Sequence, residues 1–196
     1  MYDTFENLIQ GLLEKGFGSV DNWYSPGELD CLRKSLRTHY RQDDFHIAGI
    51  GKLDNFRKIG KVRSDQVYWL DRTEANDCER QFFARIDEFI LYLNRTCFAG
   101  IRDAEFHYAV YEPGSFYKKH VDRFQNDGRR LFSFVSYLTE SWQQGDGGEL
   151  VLYPEDEVVK IEPLPGRVIF FRSDLLHEVL LANAQRFSLT GWMKTF

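Results

Sequence analysis

The spacing of hydrophobic residues changes along the chain. In the N-terminal half, apolar residues recur every three or four positions, which is typical of one face of an α-helix. We predict three helices: the first from an Asp3 N-cap to a stop at Gly16, the second from a Ser25 N-cap to about Tyr40, and the third from about Glu74 to Arg95. These helices are expected to brace one face of a sheet.

From Glu105 onward, short apolar runs are separated by Gly, Pro, Asn and Asp, which is typical of β-strands joined by turns. We predict eight strands, near 105–111, 116–122, 131–139, 149–153, 158–162, 167–171, 177–181 and 186–193. Eight strands fit a mainly β jelly roll of two packed sheets. With 196 residues, 43% of them hydrophobic, the chain is expected to be a single domain, 1–196.

Composition and charge narrow the range of functions. The formal net charge of −5 argues against nucleic acid as the main partner. No apolar stretch approaches the roughly 20 residues of a membrane span, and the N-terminus lacks the pattern of a secretion signal, so we expect a cytoplasmic protein without a membrane partner. The three cysteines, Cys31, Cys78 and Cys97, have no Cys-x-x-Cys spacing and are expected to be reduced and mostly buried.

A metal site is suggested by His120 and Asp122, with His177 further along the chain. If residues 117–122 form a strand, His120 and Asp122 point to the same side while Val121 points to the other. Two histidines and one carboxylate on one face can hold Fe(II) and leave coordination positions open. A His-x-Asp pair alone is more often a surface or packing pair, so the context decides.

That context includes Arg186, nine residues after His177, in a run whose even-numbered members share one face if it forms a strand. A buried arginine needs a counter-charge, and its planar fork suits a carboxylate. An arginine in the same cavity as the metal ligands suggests a dicarboxylate co-substrate that is held at its far end.

The ordered series of motifs resembles the Fe(II)- and 2-oxoglutarate-dependent oxygenases, and within them the prolyl 4-hydroxylases related to the hypoxia-inducible-factor prolyl hydroxylases. The resemblance covers about residues 47–194 and rests on segments 62–69, 111–114, 117–122, 136–139, 147–150, 170–174, 177–179 and 186–192. It implies a double-stranded β-helix (jelly-roll) core from about residue 105, with metal ligands on its second and seventh strands. Residues 1–46 would be an N-terminal helical support and 47–196 the oxygenase region.

The resemblance also implies roles for individual residues. His120, Asp122 and His177 would bind Fe(II), with 2-oxoglutarate as co-substrate, O2 as oxidant and ascorbate as a stimulant. The co-substrate would be held by four residues: Arg186, Tyr137, Tyr111 and Thr190. No protein nucleophile is required, and the products would be a hydroxylated substrate, succinate and CO2.

A protein substrate with a target proline is the expected partner. The resemblance places a mobile substrate loop at the basic segment 51–65 and implies four substrate-binding residues: Arg63, Asp65, Arg130 and Trp192. Bacterial relatives of this type act on elongation factor Tu, which is therefore the first specific candidate.

Three rival functions are weighed against this one. Nucleic-acid demethylation by a related oxygenase is disfavoured, because Trp192 stands where the repair enzymes of this fold carry a second arginine. Hydroxylation of a free amino acid stays open, as does a non-enzymatic jelly-roll binding module.

His107 has no partner at metal-ligand spacing and is expected to be a hydrogen-bonded interior histidine.

Overall fold

The computed structural model describes residues 2–49, 62–123, 128–155 and 157–195, which form three helices and eleven strands. The helices are α1 (Tyr2–Lys15), α2 (Pro26–Arg41) and α3 (Asp77–Thr96). The strands are β1 (Phe17–Val20), β2 (His46–Ile47), β3 (Gln66–Trp69), β4 (Asp103–Tyr111), β5 (Tyr117–His120), β6 (Arg130–Tyr137), β7 (Leu150–Leu152), β8 (Val159–Ile161), β9 (Val168–Arg172), β10 (His177–Val179) and β11 (Arg186–Lys194). The prediction of a mainly β protein with helices before the core is confirmed.

The strands form two antiparallel sheets. The large sheet has the order β1-β9-β6-β11-β4-β3-β2, and the small sheet has the order β5-β10-β7-β8. Buried side chains from both sheets form one core cluster, with Tyr111 and Tyr137 from the large sheet and Leu150 and Val179 from the small one. The inner face of the large sheet and the small sheet therefore enclose the space in which the predicted site residues lie.

All eight predicted strands are present, as β4 to β11. The strand pattern did not reveal β1, β2 and β3, which are short strands in the outer part of the large sheet. In β1 the reason is Gly18, because a Cβ there would lie 2.2 Å from the carbonyl oxygen of Leu8 in α1. Gly18 lets the strand run against the helix, and a glycine in so short a run hides the strand pattern. The N-terminal support is therefore not purely helical.

The helices pack on the outer face of the large sheet. Their buried aromatic residues, among them Phe5 and Phe89, share a core cluster with Phe134 and Phe170 of that face. Ser25 caps α2 with Glu28 as predicted, and α1 ends before Gly16, which has a positive φ of 78°.

Two details of the helical prediction are wrong. Asp3 does not cap α1, because the helix already includes Tyr2 and Asp3 lies in its first turn. The third helix begins at Asp77 and not near Glu74, because Asn76 accepts from the amides of Cys78 and Glu79 and sets the N-cap.

The cysteine prediction is also wrong. Cys31 of α2 and Cys78 of α3 form a disulfide with a Cα–Cα distance of 5.4 Å, and Cys97 is exposed. The prediction failed because the two cysteines are 47 residues apart and meet only when the helices pack together.

No helix in the described ranges has the length and apolar character that crossing a bilayer requires. The single-domain organisation stays a prediction, and residues 51–61 of the predicted substrate loop lie outside the described residues.

Candidate active site

The three predicted metal ligands meet between the two sheets. His120 ends β5 and pairs in register with His177, which begins β10. The Nε2 atoms of His120 and His177 lie 3.6 Å and 3.5 Å from the carboxylate oxygens of Asp122. One ligand atom from each residue lies within 4.8 Å of the other two, and this is the one such group of His, Cys, Asp or Glu found in the described part of the chain.

Asp122 departs from the predicted geometry, because β5 ends at His120 and Asp122 lies in the following turn. Its backbone amide donates to the carbonyl of Ser173 at 3.0 Å. The prediction that both ligands occupy one strand is therefore wrong, although the carboxylate still faces the histidines. A turn anchored by Ser173, and not strand alternation, points Asp122 into the site.

Hydrogen bonds orient each ligand for metal binding. Nδ1 of His120 lies 2.7 Å from the carbonyl of Lys118, and Nδ1 of His177 lies 2.8 Å from the carbonyl of Leu175. A carbonyl only accepts, so both Nδ1 atoms carry a proton, and Nε2 is the atom of each ring that faces Asp122 and can bind a metal. Burial opposes ionisation of Asp122, but the neighbouring His177 and His120 outweigh it and hold the pKa of Asp122 well below its usual range. This donor set fits a divalent transition metal.

A second group of side chains has donors without partners. Arg186 of β11 is 4% exposed, and in the described structure neither its Nε nor the hydroxyl of Tyr137 has a hydrogen-bond partner. The guanidinium lies 4.6 Å from the ring centre of Tyr111 and 4.9 Å from that of Tyr137. Buried polar groups are normally paired, so this arrangement fits an anion that accepts from Arg186 and Tyr137.

The metal ligands and Arg186 border the same cavity, and Tyr137 lies behind Arg186, outside the cavity lining. The cavity walls include the three metal ligands together with Tyr111, Arg186, Thr190 and Trp192. Thr190 and Trp192 follow Arg186 on the same face of β11, as the alternation of a strand requires. A molecule with one end bound to Arg186 could therefore reach the metal ligands with its other end.

Of the four predicted substrate residues, Arg63 and Trp192 line the cavity, and Arg130 and Asp65 contact them from behind. Arg130 donates to Glu105 at 2.8 Å, and its guanidinium lies 3.5 Å above the ring of Trp192. Arg63 also lines the cavity, but its fork donates to both carboxylate oxygens of Asp65. Asp65 is fully buried, so the structure brings this pair to the site with Asp65 turned away from solvent.

His107 differs from its prediction. It is 3% exposed and lines the cavity, but its Nδ1 has no hydrogen-bond partner in the described structure. The ring packs against Trp69 and Trp192, with centroids 4.8 Å and 5.3 Å away, and the two tryptophan rings lie 6.0 Å from each other. Burial, with the positive charges of Arg63 and Arg130, lowers the pKa of His107 to about 3. His107 is thus a neutral cavity residue, and not a hydrogen-bonded core histidine.

Two residues at the site were missed by sequence reasoning. Ser133 donates to the second carboxylate oxygen of Asp122 at 2.7 Å. Its position four residues before Tyr137 on β6 puts both on one face, a signal that the two-residue period offers. Gly148, with a φ of 70°, lies where a Cβ would be 2.9 Å from Cδ of Arg186. A Gly-rich run gave no sign of that contact.

Comparison with known proteins bears on the same residues. The model of the 2OG-Fe(II) oxygenase superfamily matches residues 106–194. Prolyl hydroxylase EGLN3 of Mus musculus is 30% identical over 96% of this chain and 82% of its own length. The chain belongs to the 2-oxoglutarate- and Fe(II)-dependent oxygenases, in the prolyl 4-hydroxylase family. This oxygenase is similar as well to the hypoxia-inducible factor prolyl hydroxylase of Caenorhabditis elegans, at 30% identity over 95% of the chain but only 28% of that protein.

Solved structures agree on the fold. A prolyl-4-hydroxylase from Pseudomonas putida superposes with a TM-score of 0.89 at 32% identity, covering 98% of this chain and 100% of that one. A Trichoplax adhaerens prolyl hydroxylase, solved with a peptide of the hypoxia-inducible factor, has a TM-score of 0.86 at 25% identity, with 97% and 88% of the two chains covered. The core is therefore a double-stranded β-helix, and the oxygenase is an enzyme of the prolyl 4-hydroxylase type that uses Fe(II) and 2-oxoglutarate.

Proposed function

We propose that this oxygenase hydroxylates a prolyl residue of a protein, with consumption of 2-oxoglutarate and O2 and release of succinate and CO2. The observation that carries the proposal is the single cavity onto which the His120, Asp122 and His177 group and the buried Arg186 both open. Its relatives named as prolyl hydroxylases, and the neighbour solved with a peptide, support a protein substrate.

The metal would be held by His120, Asp122 and His177. When bound, Fe(II) would activate O2, the oxidant, with electrons from 2-oxoglutarate, for hydroxylation of an unactivated C–H bond. The protein's contribution is geometric: the carbonyls of Lys118 and Leu175 hold the two imidazole rings with Nε2 directed at the metal position, and Ser133 fixes one oxygen of the carboxylate. Both effects prepare the donor set before the metal enters.

The co-substrate would be oriented by Arg186, Tyr137, Tyr111 and Thr190. Arg186 and the hydroxyl of Tyr137 would donate to the remote carboxylate of 2-oxoglutarate, which would satisfy the two unpaired donors. Tyr111 pairs with Arg186 across β4 and β11 and would border the metal-bound end, as would Thr190. The buried site excludes water from the reacting groups, which strengthens these electrostatic contacts.

The protein substrate would contact Trp192 and Arg63, which line the cavity, with Arg130 and Asp65 as their respective partners. The flat face of Trp192 is backed by Arg130 and can pack against the ring of a target proline. Elongation factor Tu is the first candidate substrate, on the resemblance to bacterial relatives.

The proposal is tested by succinate formation in air with Fe(II) and ascorbate, with and without elongation factor Tu and other proline-containing proteins. We expect His120→Ala and Arg186→Ala to abolish turnover, and the matched variants His46→Ala and Arg72→Ala to retain it, since His46 and Arg72 do not line the cavity. The protein that raises turnover should gain one oxygen on a proline, detected by mass spectrometry.

Other results would redirect the assignment. Turnover raised only by a free amino acid would make the protein a small-molecule hydroxylase. Binding of iron and 2-oxoglutarate without turnover under any condition would favour a jelly-roll binding module.

A further inference from the structure

Three side chains form a stack that ends on a metal ligand. The guanidinium of Arg63 lies 4.2 Å from the ring centre of Tyr117. The Tyr117 ring lies 3.5 Å from the imidazole of His120, with 15° between the two planes. The stack thus runs from Arg63 through Tyr117 to His120.

Arg63 is fixed in this stack by Asp65. Nε of Arg63 donates to one carboxylate oxygen of Asp65 at 2.7 Å, and a terminal nitrogen donates to the other. The side chain of Arg63 is 11% exposed and that of Asp65 is fully buried. A bidentate pair of this kind sets the plane of the guanidinium as well as its position.

The backbone holds the same three residues together. The amide of Ser64 donates to the carbonyl of Phe116 at 3.1 Å, and the amide of Lys118 donates to the carbonyl of Val62 at 2.8 Å. Residues 62–64 therefore pair with β5, with Arg63 directly opposite Tyr117. The stack is built on adjoining backbone segments, one of which carries His120.

The fork of Arg63 is already occupied, which bears on its role. Asp65 takes Nε and one terminal nitrogen of the guanidinium, so a substrate carboxylate could meet only the remaining terminal N–H groups. The face of the guanidinium, by contrast, is used for the stack on Tyr117. Through that face, Arg63 is connected to His120.

We propose that Arg63, fixed by Asp65, is a positioning residue for the metal: through the ring of Tyr117 it holds the imidazole plane of His120 in the orientation that metal binding needs. The carbonyl of Lys118 holds Nδ1 of that imidazole, and the stack resists rotation of the ring about its bond to Cβ. The inference rests on the metal site of the proposed function. Partners that orient a ligand in this way typically contribute about 10- to 100-fold to metal affinity.

The test is the dissociation constant of Mn(II), measured by titration calorimetry without co-substrate or substrate, so that turnover is not the readout. The main variant is Arg63→Gln with Asp65→Asn, because it removes the stack without leaving a buried, unpaired carboxylate. Tyr117→Leu removes the ring, and Tyr117→Phe keeps the ring but not the hydroxyl. Thermal unfolding of each variant checks that it is folded.

Arg72 offers a matched control. It also makes a bidentate pair, with Asp87 at 2.9 Å and 2.8 Å, and its guanidinium lies 4.4 Å from the ring of Phe83, but it does not line the cavity. We expect the double variant and Tyr117→Leu to weaken Mn(II) binding by about 10-fold or more. Tyr117→Phe and Arg72→Gln should bind Mn(II) as the parent protein does.

Two results would overturn the inference, and they differ in what else they affect. If the double variant and Tyr117→Leu keep the parent affinity for Mn(II), the stack does not position His120; a raised KM for the protein substrate would then assign Arg63 and Asp65 to substrate binding alone. If His120→Ala itself keeps the parent affinity, the metal site is wrong, and the proposed function fails together with this inference.

Discussion

Replacing Gly148 with alanine should weaken binding of 2-oxoglutarate, although Gly148 itself is not one of the residues proposed to bind it. A Cβ at position 148 would lie 2.9 Å from Cδ of Arg186 and 3.5 Å from Cβ of Ala182, so the arginine must move. The arginine side chain yields more easily than the backbone around it, and its displacement would move the guanidinium away from the position proposed for the remote carboxylate. Gly148→Ala therefore acts as an indirect mutation of the co-substrate clamp.

The magnitude follows from the interaction that is lost. Hydrogen bonds to charged groups contribute roughly 1.5–3 kcal/mol, which corresponds to a factor of about 10 to 150 in affinity. We expect the KM for 2-oxoglutarate to rise within that range, measured by succinate formation at saturating protein substrate. The positive φ of 70° adds a separate cost of about 1–2 kcal/mol to folding, because an L-residue is strained there.

Gly100→Ala separates the two effects. Gly100 has a φ of 68° and no atom within 4 Å of the position that a Cβ would take, so it carries the same backbone strain without the contact. Both variants should lose similar stability, and only Gly148→Ala should raise the KM. Equal KM values for the two variants would refute the argument that Gly148 makes room for Arg186.

Three further changes have defined outcomes. Tyr137→Phe should raise the KM for 2-oxoglutarate about tenfold and stabilise the free protein by about 1 kcal/mol, since the hydroxyl it removes is buried without a partner. His107→Met should reduce the loss of folding free energy at acid pH, measured by urea unfolding at several pH values. The pKa of His107 is about 3 in the folded protein and 6.5 in the unfolded chain, so the free energy of unfolding of the parent falls by about 1.4 kcal/mol per pH unit below 6.5. Cys31→Ser opens a disulfide that spans 47 residues and should lower the free energy of unfolding by about 4 kcal/mol.

Each of these has a result that would contradict it. An unchanged KM in Tyr137→Phe would remove Tyr137 from the co-substrate site. The sign for His107 follows from its lowered pKa: the neutral form is favoured by folding, so its contribution is complete above pH 6.5 and declines as the pH falls toward 3. Equal slopes for parent and His107→Met between pH 7 and 5 would therefore mean that His107 titrates normally. Equal stability of Cys31→Ser and the parent under oxidising conditions would mean that the disulfide is not formed.

Alternation along strands was the most reliable signal in the sequence. It predicted that Arg186, Thr190 and Trp192 share a face, and all three line the cavity. The same rule applied to Asp122 was wrong in detail, because β5 stops at His120 and a turn anchored by Ser173 takes over. Strand rules hold for as long as the ladder of backbone hydrogen bonds continues, and the residue at which it ends is set by tertiary contacts.

What escaped prediction depends on distant parts of the chain meeting. The partner of Cys31 lies on another helix, and the contact of Gly148 with Arg186 joins the turn before β7 to the start of β11. The lack of a partner for His107 arises because Trp69 and Trp192, from β3 and β11, pack against its ring. The members of each pair are far apart in the sequence, so periodicity and capping rules, which use neighbouring residues, cannot predict these contacts.

Arg186, Thr190 and Trp192 lie on one central strand, β11, so the spacing between them is fixed by the repeat of the strand. Neighbours on one face of a strand are separated by two residues, or about 6.6–6.8 Å. The spacing along β11 between Arg186 and Trp192, which both line the cavity, can therefore change only in steps of that size. Insertion of one residue within β11 would turn part of this series toward the helices. A co-substrate of slightly different length would therefore have to be accommodated by residues of the small sheet or the loops.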